Sequence, residues 1–173
     1  MAVLTTARVI VRALTLEDAP FIVTLLNDPA FIRNIGDRGV RTETDAHEYL
    51  AAGPFASYAR HGFGLCAVTL AGTGEPIGMC GLLQRDELPG PDLGFAFLPE
   101  FRARGYAFEA ASAVKADAHA RLGIPTLHAI ANPDNDPSIR LLERLGFSRH
   151  GSIRLSGGAL DLALFVAAAS ANP

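Results

Sequence analysis

"LGFAFLPEFRARGYAFEAASAVKADAHARLGIPTLHAIA", residues 93–131, decides the fold. Its opening, "LGFAFL" (93–98), is a short and wholly apolar run, which reads as a central strand buried on both faces. From Gly105 the period changes. Ala107, Ala110, Ala111, Val114, Ala118 and Leu122 fall on one stripe, which predicts an amphipathic helix over 105–122 packed on a sheet. "TLHAIA" (126–131) is another strand. The order strand, helix, strand is a crossover within a mixed α/β fold. Between the first strand and the helix stands Arg102-Ala103-Arg104-Gly105, two arginines and a glycine where a helix begins.

The flanks complete the pattern. "RVIVRAL" (8–14) alternates Arg8, Ile10 and Arg12 against Val9 and Val11, a strand with one wetter face. Residues 15–28 read as a helix with Thr15 as a cap, acids in the first turn, and Asp28-Pro29 as its stop. Residues 42–53 read as a second helix ending at Gly53. Residues 62–85 read as two strands around "GTGEP". "DPSIRLLERLG" (136–146) is a short helix with Pro137 near its start and Gly146 past its end. "FSRHGSIRL" and "LDLALFV" flank Ser156-Gly157-Gly158 and form a closing hairpin. The predicted order is β-α-α-β-β-β-α-β-α-β-β, seven strands in one domain spanning 1–173 with no linker.

With 49% hydrophobic and 19% charged residues the chain has a globular balance rather than a disordered one. A net charge of −3 gives no bulk field for nucleic acid or anionic lipid, so neither is an expected partner. No apolar run approaches the roughly 20 residues that span a bilayer, and the N-terminal residues lack a signal-peptide pattern. Cys66 and Cys80 lack metal-ligand spacing, and no metal is expected. They sit about equally far from Thr73, facing each other across a hairpin, and read as buried free thiols in a reducing cytoplasm. "ASANP" (169–173) reads as a loose tail.

A helix start carries unsatisfied N–H groups and about +0.5 of a charge, which makes it an anion site. Gly105 allows close backbone approach, Ala107 keeps the next turn small, and Arg102 and Arg104 offer charge-assisted contacts. The stretch fits a pyrophosphate. A solvated turn is the plain alternative. There is no G-x-x-x-x-G-K-[ST], and no G-x-G-x-x-G between strand and helix, so P-loop and dinucleotide readings fall.

On these residues the chain resembles the GNAT superfamily of N-acetyltransferases, in particular the RimJ/RimL-like branch that acetylates ribosomal-protein N-termini. The family's R/Q-x-x-G-x-G/A is matched by Arg102-Ala103-Arg104-Gly105-Tyr106-Ala107. "NPDNDPSIRLLERLGF" (132–147) matches a second motif, with Asn135 and Ser138 as its Asn-x-x-Ser. "RVIVRALTLEDAPFIVTLLNDPAFI" is similar to the family's first strand and helix. Three departures stand out: Ala103 replaces a frequent glycine, Phe108 replaces Thr or Ser, and Asp92 replaces a longer carboxylate.

The resemblance implies a mostly antiparallel sheet flanked by helices, with strands four and five splayed around coenzyme A. It implies acetyl-CoA as cosubstrate, an amine acceptor, and a monomer or homodimer. By the same resemblance Phe95, Ala96 and Phe97 offer a backbone edge to pantetheine, against which stands simple core packing. Asp92 stands where the family's proton acceptor lies, or is a plain turn residue. Ser138 stands near the CoA sulfur, or bonds backbone at its helix start. Asn135 meets a pantetheine amide, or forms a turn. His128 is a further candidate base, against a buried hydrogen-bonded structural role. Glu109 reads as a first-turn dipole acid.

The segment 34–45, bordering the family's acceptor side, carries Arg38 and Arg41 with Arg33 before it, against Asp37, Glu43 and Asp45. It suits an acceptor bearing an anionic group beside its amine, or is a solvated loop of balanced charge. A non-catalytic acyl-CoA sensor on the same scaffold is the alternative to an enzyme.

Overall fold

The computed structural model describes residues 2–168. Eight strands form one sheet: β1 (Leu4–Thr5), β2 (Val9–Ala13), β3 (Leu65–Leu70), β4 (Pro76–Leu83), β5 (Asp92–Phe97), β6 (Thr126–Ala131), β7 (Ser148–Ile153) and β8 (Leu162–Ala168). Their order is β1-β2-β3-β4-β5-β6-β8-β7. All neighbours are antiparallel except β5 and β6, which the crossover places parallel. The strand beyond the predicted seven is β1, whose two residues are too few to show a period. Residues 169–173, read from sequence as a tail, lie outside the described residues.

The helices are α1 (Ala19–Leu26), α2 (Pro29–Ile35), α3 (Glu43–Leu50), α4 (Ala56–His61), α5 (Tyr106–Ala120) and α6 (Asp136–Arg144). They cover both faces of the sheet. On one, Ala110, Ala111, Val114 and Ala118 of α5 and Leu142 of α6 pack on Val9, Val11, Val68, Leu82 and Leu93. Small side chains on α5 let the helix sit close to the strands. On the other face, Ile22, Leu25 and Leu26 of α1 and Ala46 and Leu50 of α3 close over Ala67 and Met79. Cys66 and Cys80 are direct register partners across β3 and β4. Both thiols are free and buried, and burial pushes Cys66 up to about 12.

Two helix boundaries differ from the sequence reading. Asp28-Pro29 ends α1 but also starts α2, because the Asp28 carboxylate accepts the N–H groups of Ala30 and Phe31 at 3.1 Å and Pro29 takes the first helical position. Second, α3 does not stop at Gly53. The chain passes through a π turn (Ala51–Phe55) into α4 and ends at Gly62, with φ 73°. The wide turn accommodates Pro54, which has no N–H to give. Tyr58 then fastens α4 to the sheet, since its hydroxyl accepts Leu14 N–H at 3.1 Å and donates to Leu65 O.

Candidate active site

The sheet opens between its two parallel strands. β4 and β5 share six registered pairs, as do β6 and β8, but β5 and β6 share one, Asp92 with His128. There His128 N–H donates to Pro91 O at 3.0 Å. Beyond that bridge the strands part, leaving one edge of β5 without a strand neighbour.

Which groups line that edge follows from alternation. Leu98 N–H donates to Ile77 O at 3.0 Å, so in the antiparallel β4–β5 ladder alternate residues turn toward β4. Ala96, opposite Met79, is one of those. Phe95 and Phe97 turn their N–H and C=O groups to the gap. The expectation that Phe95, Ala96 and Phe97 all present the edge is therefore corrected for Ala96. Phe97 O is already taken by Arg102 Nε at 2.8 Å, which leaves Phe95 as the fully open residue. Phe95 and Phe97 pack their rings on the α5 side, and Ala96 packs on the other.

The chain then turns through Pro99–Phe101 into α5. Ala103 has φ 57° and Gly105 φ 85°, both left-handed. Residues of alternating hand turn successive N–H groups into a concavity suited to anions. Glu109 is the first to bond back, to Gly105 O at 3.1 Å. The N–H groups of Tyr106, Ala107 and Phe108 therefore have no carbonyl within the helix.

The two motif arginines differ. Arg102 is committed to Phe97 O and to Asp28 on α2. Arg104 is exposed and makes no ion pair among the described residues.

An arginine that the motif does not contain holds the loop. Arg8 donates to Arg104 O at 3.0 Å, lies 4.7 Å from the centre of the Tyr106 ring, and pairs with Glu109 at 2.7 Å. Glu109 also accepts from Thr6 Oγ1 at 2.6 Å and from Arg8 N at 2.7 Å. Burial pushes its carboxyl up, but these hydrogen bonds outweigh burial and the net shift is down. Glu109 is thus a clamp between the β1–β2 turn and α5 rather than only a dipole acid. Arg8 lies 101 residues from Glu109, so no local spacing could have revealed the pair.

The second motif sits at the start of α6. Asn135 caps that helix, its Oδ1 3.4 Å from Ser138 N. Because Asn135 does the capping, the Ser138 hydroxyl is left without a hydrogen-bond partner among the described residues. The plain reading of Ser138 as a hydroxyl bonded to backbone is not what the fold builds.

Asp92 is buried, 1% exposed, and its two oxygens lie 3.0 and 3.1 Å from Arg85 Nε. Burial pushes its carboxyl up, Arg85 pulls the other way, and burial prevails. It is no surface-turn aspartate. Arg85 was invisible as its partner because it lies in the loop between β4 and β5, whose course no strand or helix period gives.

The acetyltransferase (GNAT) domain family matches residues 8–148. The chain belongs to the GNAT acetyltransferase domain family. It is 28% identical over 156 residues to the uncharacterized N-acetyltransferase YoaA of Bacillus subtilis, covering 88% of this chain and 86% of that one. The acetyltransferase of Agrobacterium tumefaciens superimposes with a TM-score of 0.82 at 25% identity, covering 98% and 95% of the two chains. RimL, the ribosomal L7/L12 α-N-protein acetyltransferase, in complex with coenzyme A, shares the fold at 14% identity with a TM-score of 0.81, covering 99% and 100%.

In this GNAT acetyltransferase the parted strand edge, the left-handed loop and the unbonded α5 amides follow one another along the chain from β5 into α5. At the segment 34–45, Asp45 is spent on the N–H groups of Arg41 and Thr42, both at 2.8 Å. Arg41 pairs with Asp37 at 2.6 Å, while Arg38 and Arg33 make no ion pair among the described residues. Only part of the cationic set predicted there is free.

Proposed function

We propose that this acetyltransferase moves an acetyl group from acetyl-CoA directly to a primary amine, on a protein N-terminus or a small molecule, in the cytoplasm. The observation that carries the reading is the gap after the Asp92–His128 bridge, which leads along Phe95 and Phe97 to the amides at the start of α5. The pyrophosphate is assigned to residues 102–107, with Arg104 as the available guanidinium. Pantetheine is assigned to the Phe95 edge, with Asn135 near its amides.

The chemistry then divides among few groups. Phe95 N–H, aimed into the gap, polarises the thioester carbonyl. Ser138 Oγ, unspent on backbone, assists the departing thiolate. An alkylamine has an ordinary value of about 10.4 and arrives protonated, so a base must take a proton before attack. Asp92 holds the family position for that task.

Thiol release from acetyl-CoA, followed across a panel of primary amines, tests the reading, with acetyl-CoA affinity measured alongside by calorimetry. Turnover with at least one amine is the expected result. Tight CoA binding without turnover on any amine would instead make the chain a sensor.

A further inference from the structure

Arg144 has a placement that neither the helix it ends nor the loop before α5 accounts for. α6 is fastened to α5 at its last turn. Lys115 Nζ donates to Leu145 O at 2.6 Å, and Leu145 and Phe147 are buried in the core shared with α5. Arg144, exposed, is thereby directed at the first turn of α5, where its guanidinium lies 4.6 Å from the centre of the Phe108 ring. Arg8, Arg12, Arg85, Arg102, Arg121 and Arg154 each meet a carboxylate. The Arg144 guanidinium has no ion-pair or hydrogen-bond partner among the described residues, and its exposed neighbour Glu143 makes none with it.

A cation in the last turn of a helix is favoured by the helix dipole wherever it points. The contact with Phe108 fixes a direction as well. An aromatic ring restrains the guanidinium beside it and leaves the N–H groups free to bond elsewhere. Phe108 also belongs to the anion cradle, since its own N–H is one of the three at the start of α5 with no carbonyl within the helix. Side chains in a helix lean back toward its N-terminus, so the ring that carries Arg144 leans toward those amides. The Thr or Ser frequent in the family at this position would supply a hydroxyl but no surface for a guanidinium.

We propose that Arg144, supported by Phe108, binds the 3′-phosphate of coenzyme A. The idea rests on the acetyl-CoA reading above. With the pyrophosphate on residues 102–107 and pantetheine along β5, the ribose leaves the cradle on the side away from the gap. A phosphate monoester there carries a charge of about −1.5 to −2 at neutral pH, and the amides of the cradle are already engaged by the pyrophosphate. Arg144 faces the start of α5 with its N–H groups unclaimed, while Arg104 stays with the pyrophosphate. Arg144 is then the residue that separates CoA from the same molecule without its third phosphate, and Phe108 is a positioning residue.

The test is calorimetry with CoA and with 3′-dephospho-CoA on parent, Arg144→Gln, Arg104→Gln and Phe108→Leu. The parent should bind CoA about 10-fold tighter than dephospho-CoA, in the range of one charge-assisted contact. Arg144→Gln should lose that advantage and keep the parent's affinity for dephospho-CoA, which also shows that the variant is folded. Arg104→Gln should weaken both ligands by a similar factor and so keep the preference. Phe108→Leu retains an apolar side chain without the ring, and its preference should fall between those of parent and Arg144→Gln. Equal binding of the two ligands by the parent would overturn the proposal. So would an Arg144→Gln variant that keeps the preference or loses both ligands equally, a preference abolished by Arg104→Gln, or an undiminished one in Phe108→Leu. A parent that binds neither ligand would defeat the acetyl-CoA reading together with the proposal. A preference lost in Arg144→Gln, in a protein without turnover on any amine, would support the 3′-phosphate site while defeating the acetyltransferase reading.

Discussion

Arg102, in the loop that opens α5, hydrogen-bonds the carboxylate of Asp28, the residue that caps α2. Its Nε meanwhile holds Phe97 O on the gap edge of β5. One side chain thus ties the loop to a helix on the other face of the sheet. Asn caps helices about as well as Asp, so Asp28→Asn removes the charge pair and keeps the cap. Asp28→Ala removes both. Urea unfolding should place Asp28→Ala below Asp28→Asn by about 1 kcal/mol, the usual value of a cap. Equal stabilities would show that the cap contributes nothing here.

Ala103 pays a backbone cost at φ 57° that glycine would not. A left-handed residue with a Cβ costs about 1–2 kcal/mol, while glycine gives the unfolded chain about 0.4–1 kcal/mol of extra freedom. Ala103→Gly should therefore stabilise the protein by about 0.5–1 kcal/mol, a rise of roughly 1–4 °C in Tm. A calorimetric scan decides, and a lower Tm would contradict the assigned backbone.

Gly105→Glu should abolish CoA binding while the protein stays folded. Gly105 has φ 85°, so the new side chain adds about 1–2 kcal/mol of backbone strain, and its Cβ would lie 3.1 Å from an Arg8 nitrogen that must shift. The added carboxylate would stand against pyrophosphate. Circular dichroism should show a folded chain and calorimetry no heat of CoA binding. Undiminished affinity would remove the anion from this loop.

Ser138→Ala should lower kcat by about 10-fold or more with little change in acetyl-CoA affinity. Since the hydroxyl has no partner among the described residues, stability should stay within about 0.5 kcal/mol. Single-turnover kinetics beside a urea melt separate the two effects. Parent-like turnover would leave the residue with no catalytic part.

Glu109 has a folded carboxyl below the ordinary value of about 4.3. The unfolded chain therefore binds the proton more readily between those two values, and stability rises with pH there. The contribution is complete above about 4.3 and is lost as pH falls through the folded value. Glu109→Gln should be less stable than parent at neutral pH, and the difference should narrow on acidification. Melts across the acid range check this; a gap that widens toward low pH reverses the sign.

Much of this fold was legible because its strands and α5 are periodic. Val9, Val11, Ala110 and Val114 each fell on the face their spacing predicted. Boundaries failed where one residue serves two elements. Asp28 ends one helix and starts the next, and Gly53 reads as a stop unless Tyr58 is known to anchor the turn after it. The motif located the loop and α6 but not the duties inside them. Whether Arg102 faces a ligand or Asp28, whether Asn135 or Ser138 caps, and whether Ala96 or Phe95 turns to the gap all depend on register and distant partners.

The facing cysteines carry a practical consequence. Cys66 and Cys80 are 4% and 0% exposed, and burial raises both thiols, so the folded protein should be inert to thiol dyes. In an assay that titrates released CoA with such a dye, the enzyme contributes no background. Once the chain opens, both side chains become reactive together, and the same dye becomes a clock. Pulsed labelling read by mass, as zero or two adducts, would report the rate at which the sheet unzips between β3 and β4.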